Sequence, residues 1–176
     1  MSSRFGEEYR PVHIDTHVLG YPRLKSDFLF DRNLNFKLCD IVARFAEKKP
    51  TLIFCSSRKG AAQAAQQLAK DCDARLLVRS PEHAALLERS ARQAEDVSLA
   101  NCIRNGVGFH TAGVSSRDRD LVERLFLSES LLCLCTTSTC LLSSCSACMF
   151  TQWHFSSHLI SSLTRTRTYA QQWHKE

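Results

Sequence analysis

The sequence has no G-x-x-x-x-G-K-[ST] loop anywhere in its 176 residues, so nothing in it would cradle the phosphates of a nucleoside triphosphate. No secretory leader is expected either, because residues 1–9 are polar and contain no apolar core segment. A reducing compartment with free thiols is therefore the expectation for its nine cysteines. Cys39, Cys55, Cys72 and Cys102 stand singly among apolar or helical neighbours, where a thiol behaves as a small hydrophobe. A third absence is that of charge: residues 130–164 contain no Asp, Glu, Lys or Arg. The apolar part of that stretch, 131–150, has the length of a bilayer span. Ser and Thr interrupt it, however, and its first half reads as a buried strand, so no membrane partner is expected. Nor is the chain long enough for two domains of ordinary size.

With 44% hydrophobic and 23% charged residues, most of the chain reads as globular. A net charge of +5 permits a polyanionic partner without demanding one. Cys145, Cys148, His154 and His158 have the two half-spacings of a zinc finger. Only five residues separate the halves, against about twelve needed, so no metal is expected.

Periodicity then divides the chain. Alternation over residues 12–18 predicts a strand, and Leu34, Leu38, Ile41, Val42 and Phe45 predict a helix over 35–48. A continuous β-rich run predicts a strand at 51–55, followed by a helix at 60–71. Further helices are expected at 81–101 and 115–127, with strands at 106–110 and 131–135. Strands alternating with helices imply an α/β fold, a parallel sheet covered on both faces. Right-handed crossovers would bring the strand ends at Ser56, His110 and Thr136 to one edge, where ligands of such sheets bind.

The most informative junction is Cys55-Ser56-Ser57-Arg58-Lys59-Gly60. There a strand passes into a helix through two hydroxyls, two cations and a glycine. Hydroxyls, free helix N-terminal amides and cations together suit a phosphate. Ser56 and Ser57 also serve as helix caps, and the two roles are compatible. His110, alone at a strand end, reads more as a hydrogen-bonded structural residue than as a catalytic one.

Four segments, in order, carry a resemblance. These are Tyr9-Arg10-Pro11-Val12, the run from Thr51 to Ala61, Gly106 to Gly113 with its following helix, and Leu131 to Thr139 ending Thr136-Thr137-Ser138-Thr139. Together they resemble the second RecA-like domain of Ski-like superfamily-two helicases, closest to the meiotic crossover DNA helicases. The resemblance covers residues 5–139; residues 1–139 are expected to be a truncated helicase C-terminal domain, and 140–176 an unrelated, irregular and weakly ordered tail. It implies an incomplete RecA-like fold taken from an ATP-dependent 3′-to-5′ DNA helicase of the nucleus. The family's partners would be single-stranded DNA, held weakly through its backbone, and the first RecA-like domain. By resemblance Ser56, Ser57, Arg58 and Lys59 face one phosphate, and Thr136 and Thr137 face another.

The departures are as specific. The family's second His is Thr111 here, and the glycine, asparagine and proline that continue its motif V are replaced by residues 140–147. The acidic magnesium motif and the Q-x-x-G-R-x-G-R arginine motif are absent. ATP and Mg belong to the family; neither is expected to bind this chain alone, and no catalytic residue is assigned. Two other readings stay open. One is a phosphate-binding α/β domain of another class. The other is an inactive splice or gene-model product without activity of its own.

Overall fold

Thr51–Cys55 (β2) is the strand around which the rest assembles, and its five residues coincide with those the apolar run predicts. The computed structural model describes residues 14–22, 24–137, 151–154 and 168–173. Ahead of β2 lie Ile14–Leu19 (β1), Asp27–Asn35 (α1) and Leu38–Phe45 (α2). The predicted helix over 35–48 is thus shortened to α2, and α1 ahead of it is a helix the periodicity does not predict. Ser26 caps α1 by accepting from the Leu29 amide at 3.3 Å, and Phe36 closes it through the carbonyls of Asn33 and Leu34. Glu47 and Lys48 then take φ of 49° and 61°, so the chain leaves the helical region before Pro50.

Arg58–Asp71 (α3) follows β2 directly. Its inner face is Ala61, Ala64, Ala65 and Leu68, all buried, and the small side chains let the helix lie close to the sheet. A single turn, Ala74–Leu77 (α4), precedes Pro81–Ala91 (α5) and Val97–Arg104 (α6). The helix predicted over 81–101 is therefore broken. Asp96 caps α6 by accepting from Leu99, while its own amide and that of Glu95 donate to Asp118, at 3.0 and 2.9 Å. Asp118 lies on Ser116–Leu127 (α7), so the break is fixed by a residue more than twenty positions away.

Val107–His110 (β3) is entered through Gly106, whose φ is 75°. A Cβ there would lie 2.6 Å from the Leu77 carbonyl oxygen, so only glycine fits. Cys133–Thr137 (β4) is two residues later than the strand predicted. Two strands were not anticipated: Thr151–His154 (β5) and Thr168–Trp173 (β6).

The sheet order is β1-β6-β5-β2-β4-β3. The four strands β5, β2, β4 and β3 run parallel, and β6 joins β5 and β1 antiparallel. β5 covers the edge of β2 that β4 leaves open. With seven helices on both faces, the layout is α/β and consistent with an incomplete RecA-like domain. Ile53, Leu134, Leu68, Leu87, Ile103 and Phe126 are fully buried at its centre. Expectations for residues 12 and 13, and for the tail at 140–150, 155–167 and 174–176, fall outside the described residues.

Candidate nucleic-acid interface

The parallel register sets the edge. Cys55 pairs with Thr137, and Thr136 lies between Phe54 and His110. The turn after β2 and the ends of β4 and β3 therefore share one side of the sheet, as the crossover argument requires.

Ser57 has the extended backbone of an N-cap, and its hydroxyl accepts from the Gly60 amide at 3.0 Å. That leaves the amides of Arg58 and Lys59, the first two of α3, without intrahelical acceptors. Both side chains are exposed, and among the described residues neither makes an ion pair. Two cations, two amides and a hydroxyl thus face solvent at the positive end of a 14-residue helix.

Ser56 is held differently. Its hydroxyl donates to Oδ2 of Asp31 on α1, at 2.7 Å, so a carboxylate stands where the sequence suggests a phosphate. Asp31 lines a cavity of about 170 Å³ between α1 and the start of α3, together with Phe28, Asn35, Ser56, Lys59 and Gln63. No signal in the sequence singles out Asp31 or Phe28; only the packing of α1 on α3 brings them to the turn.

Thr136 is 2% exposed, and its hydroxyl donates to the His110 carbonyl at 2.9 Å. In this arrangement its side chain ties β4 to β3 and faces inward. Thr137, half-buried, ends β4 at the same edge as Ser56. His110 is buried, with Nε2 2.9 Å from Oε1 of Glu123, a pairing that joins the strand end to α7.

Four of the described cysteines are held as thiols by their surroundings. Burial pushes the Cys102 and Cys133 thiols up to about 12, and a hydrogen bond of its thiol with Cys55, together with burial, also raises Cys135 well above its ordinary value. Burial and the neighbouring Cys39 likewise raise Cys72. Among the described residues no group of three or more His, Cys, Asp or Glu is placed to hold a metal ion. No helix among them is long and apolar enough to cross a membrane. Cys145, Cys148 and His158 lie outside the described residues.

No family profile matches the chain. Individual proteins do. The chain is 40% identical over 140 residues to the ATP-dependent DNA helicase homolog MER3 of Arabidopsis thaliana, covering 77% of this chain and 12% of that protein. It is 43% identical over 138 residues to the probable ATP-dependent DNA helicase HFM1 of Mus musculus, with 77% and 9% covered. The ATP-dependent DNA helicase MER3 of Saccharomyces cerevisiae is 35% identical over 136 residues, with 77% and 11% covered. The chain therefore spans about a tenth of the length of the curated relatives it matches.

Proposed function

Because the chain belongs to the MER3/HFM1 family of ATP-dependent DNA helicases, we propose that it supplies a single-strand-gripping part of such a motor's second RecA-like domain. The grip acts on the sugar-phosphate backbone. Arg58 and Lys59 attract it, and their amides and the Thr137 end of β4 position it. None of these groups reads a base, so what they hold is the backbone alone. Ser57 contributes by capping α3 and so holding the two free amides outward. Ser56 acts only when its bond to Asp31 opens, and Thr136 acts indirectly, by fixing β4 against β3.

The observation that supports this reading most is the pairing of two exposed, unpaired cations with uncapped amides at one parallel strand end. In the parent motor the domain would close on a first RecA-like domain around ATP and Mg and drive 3′-to-5′ unwinding in the nucleus during meiotic recombination. This chain by itself carries no phosphate loop, acidic metal motif or arginine motif. It therefore binds a strand without hydrolysing ATP. An enzyme for a small phosphorylated ligand is the weaker reading, because the cavity beside the turn already holds the Asp31 carboxylate.

Salt titration tests the proposal. Binding of a single-stranded oligonucleotide should weaken with salt at a log–log slope of about −0.7 per phosphate contacted. Lys59→Ala should lower affinity at low salt and flatten that slope by roughly one contact. An affinity indifferent to both salt and Lys59 would refute a backbone grip at this turn.

A further inference from the structure

We propose that the cavity between α1 and the start of α3 seats one unstacked base of the bound strand, stacked on Phe28 and selected by Asp31. This rests on the reading of the β2–α3 turn as a strand-binding edge, and carries it from the backbone to the base.

Three observations converge. Phe28 is 62% exposed, although its neighbour Phe30 on the same helix is 3% exposed. A large ring left in water at the mouth of a cavity is a ready π-surface, and every base has a face to lay on it. The ring shares its cavity with Lys59, so one site offers a stacking surface for a base and a cation for the adjoining phosphate. This pairing of aromatic and cation is the chemistry of single-strand grooves, and a plain apolar docking groove lacks it.

The third observation is Asp31. Its Oδ2 is fixed by Ser56, while Oδ1 receives no hydrogen bond among the described residues. A free carboxylate oxygen repels phosphate, which sorts the ligand. The phosphate stays at the rim with Arg58 and Lys59, and the uncharged base enters. Carboxylates accept from the N4 amino group of cytosine. Thymine offers instead a single N3–H flanked by two carbonyls, which crowd a carboxylate. The cavity therefore favours bases with an exocyclic amino group, and the grip acquires a mild composition preference. Asn35 and Gln63, also on its wall, supply amides that adapt to different base edges.

The test uses the full chain and labelled oligo(dC) and oligo(dT) of equal length, with binding read by fluorescence anisotropy at one salt concentration. Oligo(dC) should bind about fivefold or more tightly than oligo(dT). Asp31→Asn should abolish that preference while leaving strand binding in place. Phe28→Ala should weaken both oligonucleotides roughly tenfold, and Phe28→Trp should restore them. Phe28 is exposed, so its variants should keep the parent's circular dichroism and unfolding midpoint. If base identity and Phe28 make no difference while Lys59→Ala still weakens binding, the base seat is wrong and the backbone grip stands. If the parent chain binds no single strand, both are wrong.

Discussion

Cys102 and Cys133 show how single residues in this fold tie stability to pH. Both thiols are buried, and burial lifts them from an ordinary 9.0 to about 12. In the unfolded chain they ionise near the ordinary value; in the folded chain they stay protonated. The sign follows. A raised folded pKa contributes stability that is complete below about pH 9 and is lost as pH rises toward 12. Each thiol should cost at most about 1.4 kcal/mol of folding stability per pH unit across that window. Urea unfolding at several alkaline pH values checks this. Cys133→Ala should lose stability less steeply than the parent, and an equal slope would show that the buried thiol does not report burial. The same scale explains why some site residues were legible and others were not. Ser57, Arg58 and Lys59 are readable because their roles are local: a cap and the exposed first turn it opens. Thr136 is not, because its hydroxyl is used by the His110 carbonyl on another strand. Asp31 is invisible to local pattern for the same reason, since its partner Ser56 lies 25 residues away.

Elements repeat that lesson. β2 is legible to the residue, because a continuous apolar run between Pro50 and two serines admits one reading. The split between α5 and α6 is not. Residues 81–101 keep a helical pattern, and the chain breaks at 92–96 because Asp118 of α7 captures two amides there. Asp118 is 1% exposed and itself follows the Ser115 cap of its helix. Removing its carboxylate strands two amides that were satisfied. Asp118→Ala should therefore cost about 2–4 kcal/mol of stability. Asp118→Asn, which keeps one acceptor oxygen, should lose less. Denaturant unfolding of the two variants decides it: a loss under roughly 0.5 kcal/mol for the alanine variant would mean the break has another cause. The tail strands fail legibility for a different reason. Residues 151–154 and 168–173 have weak alternation, and β5 is a strand because β2 has an edge to pair with.

At the scale of the molecule, the parallel set β5-β2-β4-β3 turns separate chain segments into one surface. Each strand hands over to its next segment on the same side of the sheet, so a turn at Ser56 and a strand end at Thr137 become neighbours. The α/β alternation made this edge readable in advance. Its electrostatics depend on packing that the alternation does not encode, above all the seating of α1 against α3 with an acid inside the turn. The central claim is that single-stranded DNA rests on the start of α3. Amide hydrogen exchange of the full chain, with and without an oligonucleotide, tests it most directly. Slower exchange is expected at residues 56–60, the Thr137 end of β4 and the adjoining face of α1. Protection centred instead on α5 and α6, with residues 56–60 unchanged, would contradict it.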